Sequence, residues 1–191
     1  MKTRTIGLCL GAWVGAMSIL AGGCADQRAA SKENLAQALN RDYKLNADCL
    51  FTKALPFPYE LSVSDKLLTQ TRSRLDALVA AGLLSREESV RGNQVVNRYS
   101  MTEAGARVQG KGRFCYGRRE VTSVERFTTP VEYDGMPLTK VEYHFVEKDS
   151  AGWAQDATVR NAFPDVARSM QSSPIDEATL ILTNDGWVLT Y

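Results

Sequence analysis

Apolar positions in this 191-residue chain change their period about two thirds of the way along. Leu35 and Leu39 stand four apart within residues 31–43, which predicts a helix with an apolar stripe. Leu68, Leu75, Leu78 and Val79 recur at helical spacing, with Lys66, Arg72, Arg74 and Asp76 mostly on other faces and Ser64 placed to cap the start. Gly82 stands where a left-handed residue ends a helix at least cost, so the chain turns there toward Leu83 and Leu84. Two extended runs follow, residues 85–90 and 94–101, about a turn at Arg91-Gly92-Asn93, and Thr102 can cap a short helix over residues 103–108.

From Phe114 onward the period is two. Val141, Tyr143 and Phe145 share one face while Lys140, Glu142 and His144 share the other, the pattern of a half-buried strand. Residues 119–127 and 131–133 read as earlier strands separated by Pro130, with Asp134-Gly135-Met136-Pro137 as the connection onward. Val159 and Phe163, then Val166 and Met170, pair at i and i+4 around Pro164, which predicts two short helices with a break near Phe163. Residues 178–183, the turn Asn184-Asp185-Gly186 and residues 187–189 predict a terminal hairpin. Earlier, Cys49-Leu50-Phe51 and Pro56-Phe57-Pro58-Tyr59 predict an extended segment packed on a sheet or helix.

The succession over residues 64–108 resembles the recognition helix, wing and exit helix of the winged helix-turn-helix family, including regulators of the MarR and PadR type. The residues that carry it are Leu75, Leu78, Gly82, Leu83 and Leu84, then Arg98-Tyr99-Ser100-Met101-Thr102-Glu103-Ala104-Gly105. Upstream the chain departs from the family, because the prolines of LPFPYEL leave no room for an obvious second helix. The expected fold class is α+β. A winged-helix-like module would span residues 32–109, with the helix of residues 31–43 packed on it, and an antiparallel sheet with two short helices would span residues 110–191.

The start of the chain has a different character. Lys2 and Arg4 precede an uncharged run of apolar and small residues from Ile6 to Ala21, about 16 residues against the roughly 20 of a membrane span. The ending Leu20-Ala21-Gly22-Gly23-Cys24 resembles the lipobox of bacterial lipoproteins. That resemblance implies a signal peptide over residues 1–23, lipidation of Cys24, and a lipidated N-terminus and tether over residues 24–31. A soluble secreted protein cut near Gly23 and an uncleaved anchor are the alternatives. Ala25 follows the cysteine, and with no aspartate at that position the resemblance implies the outer membrane, on its periplasmic face.

Charge and cysteines change meaning once that segment is set aside. Without Lys2 and Arg4 the 23 basic residues become 21 against 22 acidic ones, a balance that does not suit a nucleic-acid binder. Of four cysteines, Cys9 leaves with the signal and Cys24 takes the lipid, so Cys49 and Cys115 remain. In an oxidising compartment they most simply pair with each other, joining the segment before the module to the segment after it. A metal site is disfavoured because the spacing lacks the paired ligands zinc uses, and two unpaired buried thiols are the other alternative.

Candidate chemistry is sparse. The single histidine, His144, lies on a polar strand face, with no nucleophile motif or orienting group evident in the sequence. Glu120, Glu125, Glu132, Asp134 and Glu142 alternate with basic residues as cross-strand pairs would. Lys111, Arg113, Arg118 and Arg119, with Phe114 and Tyr116 between them, form the densest basic run and a candidate interaction patch, which a solvated strand edge would equally produce. No cofactor motif is present.

These observations favour a lipid-anchored envelope lipoprotein that acts as a structural or protein-interaction module, with the membrane and an envelope protein as its partners. A winged-helix transcriptional regulator is the alternative. Arg72, Arg74 and Lys66 would then face the duplex, and Arg91 and Arg98 would lie on the wing. An envelope enzyme of unidentified chemistry is the second alternative.

Overall fold

The structure, a computed structural model, describes residues 26–110 and 112–191. It is α+β, with two antiparallel sheets. In chain order the elements are α1 (Lys32–Leu45), β1 (Asp48–Cys49), β2 (Tyr59–Ser62), α2 (Thr69–Ala80), β3 (Leu84–Arg91), β4 (Gln94–Met101) and α3 (Glu103–Val108). There follow β5 (Gln109–Gly110), β6 (Arg113–Phe127), β7 (Val131–Tyr133), β8 (Met136–Lys148), α4 (Ala157–Ala162), α5 (Pro164–Ser169), β9 (Ile175–Thr183) and β10 (Gly186–Leu189). The smaller sheet has the order β2-β4-β3, and the larger β1-β6-β8-β9-β10, with β5 added to β6 and β7 to β8.

Local sequence explains most of the boundaries. Ser31 caps α1, its hydroxyl accepting the Asn34 N–H at 3.1 Å, and Thr102 caps α3 by accepting from Gly105 at 3.0 Å. Gly82, at φ 74°, ends α2 as expected. The start of α2 differs from expectation. Asp65, not Ser64, caps a 3-10 turn over Lys66–Leu68 by accepting the Leu67 N–H at 2.9 Å. The Ser64 hydroxyl bonds that of Ser62 at 3.0 Å instead. Phe57-Pro58 is cis, and the segment around it is irregular until β2, with Phe57 set edge-on to Phe114 at 6.0 Å.

The apolar residues form two cores, and β6 is the wall between them. Its Phe114 and Tyr116 enter the first core, with Leu50, Leu61, Leu75, Leu78, Leu84 and Tyr99. Phe163, between α4 and α5, and Val166 of α5 close that core, and α4, a helix late in the sequence, packs on α2. Further along β6, Val121 and Val124 enter the second core with Val141, Tyr143, Phe145, Leu180 and Trp187. Register shifts after Val121 and Val124 bend the strand, and the larger sheet is a curled half-barrel. β6 begins at Arg113 rather than near Arg119, because β1 and β5 pair with its first residues and the first core buries two of them.

The position of α1 also corrects the expectation. It packs on β6 and β10 of the large sheet, not on α2, α3 and the smaller sheet. The curled sheet leaves an apolar mouth between those strands, and the Leu35, Ala38 and Leu39 stripe fills it. Among the described residues, no helix is long and apolar enough to cross a membrane.

Candidate functional site

The positions singled out in the sequence do not gather at one place. Cys24 and Lys111 lie outside the described residues. Cys49 and Cys115 stand opposite each other in the β1–β6 register and form a disulfide with an S–S distance of 2.02 Å. Spanning 66 residues of separation, it stabilises the fold by about 4 kcal/mol on the chain-entropy model. Arg118 and Arg119, adjacent in a strand, fall on opposite faces. Arg118 is exposed and pairs with Asp149, whereas Arg119 turns inward. Arg113 lies elsewhere, lining a cavity beside the disulfide.

Inward of that strand lies a cluster of polar side chains at the end of the second core. Arg119 Nε donates to Asp48 at 2.8 Å, and its Nη1 donates to Asp176 at 2.5 Å and to the Tyr143 hydroxyl at 3.3 Å. The guanidinium lies 4.8 Å from the Phe145 ring centre and 5.8 Å from that of Tyr43. The Tyr43 and Tyr143 hydroxyls share a hydrogen bond of 2.6 Å. Five elements therefore meet at one side chain: α1 through Tyr43, β1 through Asp48, β6 through Arg119 itself, β8 through Tyr143 and β9 through Asp176. Burial opposes the charge of Arg119, but Asp48, Tyr143 and Asp176 more than offset it and hold the guanidinium protonated. Burial raises the pKa values of Tyr43 and Tyr143, so both hydroxyls stay neutral.

Glu147 adjoins this cluster. It pairs with Arg119 across β6 and β8, and its carboxyl lies over Gly117, where a Cβ would come within 2.1 Å of Oε1. A side chain there would have to displace the carboxyl, while the backbone shape makes no demand for glycine. Burial, and then the negative charge of Asp48, push the Glu147 pKa up to about 8. Neither carboxyl oxygen accepts a hydrogen bond among the described residues, and a protonated Glu147 can donate toward Asp48 instead. Two clefts of about 480 Å³ each flank Tyr43 and Arg119, one reaching Lys140, Glu177 and Tyr191, the other Lys44, Glu120 and Lys148. Chemically the cluster is a desolvated ionic clamp, with the Arg119 donors directed at side chains of its own chain.

One arrangement left no signal in the sequence. His144 Nδ1 lies 3.1 Å from the Ser173 hydroxyl and 3.3 Å from the Ser173 carbonyl, while its Nε2 lies 3.4 Å from Glu125. Ser173 comes from the loop before β9 and Glu125 from β6, so their spacing along the chain does not disclose the contact. Ser173 is exposed and Glu125 is 57% exposed at its side chain, so the half-buried imidazole bridges two groups that face solvent and ties the loop to β8.

Three of the five cations proposed for a duplex are used within the fold. Arg72 donates to the Val63 carbonyl at 2.5 Å, Arg74 lies 5.5 Å over the Phe163 ring, and Arg91 pairs with Glu60 at 2.8 Å. Among the described residues no group of three or more histidine, cysteine, aspartate or glutamate side chains is placed to hold a metal ion. No protein-family model, curated protein or solved structure matches the chain.

Proposed function

We propose that this is a lipid-anchored protein of the bacterial envelope, held through Cys24 at the periplasmic face of the outer membrane, that acts as a structural or protein-interaction module. The observation that carries the reading is the Cys49–Cys115 bond, because such bonds persist in oxidising compartments and are rare in reducing ones. It agrees with the basic, apolar and Leu-Ala-Gly-Gly-Cys succession at the start of the chain.

The interaction surface in this reading is the winged-helix-like unit of residues 59–108. In its support stand α2, the β3–β4 hairpin and α3 in succession, with β2 as the third strand. Where the family has a further helix before α2, this chain has the 3-10 turn at Lys66–Leu68. Protein contact is favoured over duplex contact because α2 packs against α4 and exposes Thr69, Gln70 and Ser73, none of them cationic.

The test is the intact mass of protein extracted from its host membranes, before and after reduction and alkylation, combined with crosslinking in cells. The expected mass is that of a chain starting at Cys24 with acyl groups, two thiols appear only after reduction, and an envelope protein is crosslinked. A full-length chain with free thiols overturns the proposal.

A further inference from the structure

The cavity beside the disulfide has a lining that the clamp does not use. Its volume is about 500 Å³, within the roughly 300–1,000 Å³ typical of small-molecule sites. Leu50, Tyr116, Phe163 and Val166 are buried and make its floor, and Phe51 stands edge-on to Phe163 at 5.6 Å. Three cations, Lys53, Arg74 and Arg113, surround this apolar floor. The one acid in the lining, Asp165, already pairs with Arg168 at 2.9 Å.

Arg74 is the informative residue. Its guanidinium lies over the Phe163 ring, and its Nε is buried with no hydrogen-bond acceptor among the described residues. A buried donor without an acceptor carries its desolvation cost with nothing to offset it. A carboxylate in the cavity would accept from the guanidinium of Arg74, which lines it, in the paired geometry that such groups favour. Arg113 and Lys53 would add attraction, and the floor would take an apolar body.

We infer that this cavity binds a small anionic amphiphile, an acyl carboxylate whose headgroup pairs with Arg74 and Arg113 and whose chain lies on Phe51, Leu55 and Phe163. The inference does not rest on the envelope reading, since the lining is the same wherever Cys49 and Cys115 are paired. The disulfide contributes by fixing Leu50 and Phe51 to β6, so the wall of the cavity is held in place before any ligand arrives.

The test is calorimetric titration of the purified, oxidised protein with octanoate, and with 1-octanol, octyltrimethylammonium and inorganic phosphate as comparisons. Octanoate should saturate a single site at least tenfold more tightly than any comparison compound. Arg74→Gln should weaken octanoate binding tenfold or more while leaving 1-octanol unchanged. Arg113→Gln, at a half-buried position on the cavity wall, should weaken it several-fold and serves if Arg74→Gln does not fold. No saturable octanoate binding, equal affinity for 1-octanol or phosphate, or unchanged affinity in the folded variants would each overturn the inference.

Discussion

The Asn40 carboxamide bonds both backbone groups of Val121, its Nδ2 donating to the carbonyl at 3.1 Å and its Oδ1 accepting the N–H at 2.7 Å. A helix side chain thereby does for β6 what a neighbouring strand would do, past the point where β1 ends. The next residue, Arg41, donates from Nη2 to the Trp187 carbonyl in β10 at 2.8 Å. Consecutive residues of α1 thus tie the two sides of the half-barrel mouth.

Asn40→Ala should therefore act through the backbone it leaves behind. Two groups of Val121 lose their partner, and the expected loss is about 1–3 kcal/mol of unfolding free energy. Asn40→Asp, which keeps an acceptor for the N–H but loses the donor, should fall between alanine and the parent. Urea unfolding of the three proteins measures this, and an alanine variant as stable as the parent would refute the role.

Glu147 should make stability fall as pH rises. Its folded pKa is about 8 against an ordinary value of 4.5, so the folded chain keeps a proton that the unfolded chain releases. The contribution is complete below the unfolded value and is lost as pH rises through the folded one, with a slope of at most about 1.4 kcal/mol per pH unit. Glu147→Gln should flatten the profile across that window and exceed the parent in stability at its alkaline end. Denaturation midpoints across the window read the effect directly.

Gly117→Ala should displace the Glu147 carboxyl, because the new Cβ would stand 2.1 Å from Oε1. The expected cost is about 1–3 kcal/mol. Most of it should vanish in a Glu147→Ala background, giving a coupling above about 0.5 kcal/mol in a double-mutant cycle. Additive effects would show that the close approach is tolerated by other means.

Reduction of Cys49–Cys115 should lower stability by about 4 kcal/mol, and Cys115→Ala should match the reduced parent. Guanidinium midpoints with and without reductant provide the comparison. A midpoint unchanged by reductant would mean that β1 is held by the Asp48–Arg119 pair rather than by the bridge.

Elements whose signals are local were legible from the chain. The Leu75–Leu78 stripe and Gly82 mark one helix, Thr102 another, and the alternation of Val141, Tyr143 and Phe145 marks β8 with its buried face. Asn184-Asp185-Gly186 marks the last turn, between β9 and β10. The cysteine pairing followed from counting thiols in a presumed oxidising compartment, and register places the two side by side. Legibility failed where a partner came from far along the chain. α1 has the same stripe whether it packs on one core or another, and nothing within residues 31–43 states that the large sheet curls.

The candidate sites divide in the same way. A run such as Arg113, Arg118 and Arg119 reads as one basic patch because sequence lists charges in order, whereas a strand sends neighbours to opposite faces. Arg119 becomes a clamp only because Asp48 lies 71 residues before it and Asp176 57 residues after it. The raised pKa of Glu147 depends on burial that its neighbours in sequence do not reveal.

By itself the amino-acid sequence determined the period of each segment, most of the caps and turns that bound it and the near balance of charge, since each depends on neighbours a few residues away or on a count. Tertiary structure alone decided that α1 closes the half-barrel, that β6 serves two cores, that Arg119 and Glu147 are half-buried together, and that the Arg74 Nε has no acceptor among the described residues beside an apolar cavity. Those outcomes depend on which distant surfaces meet when apolar area is withdrawn from water, and no window of neighbouring residues contains that information.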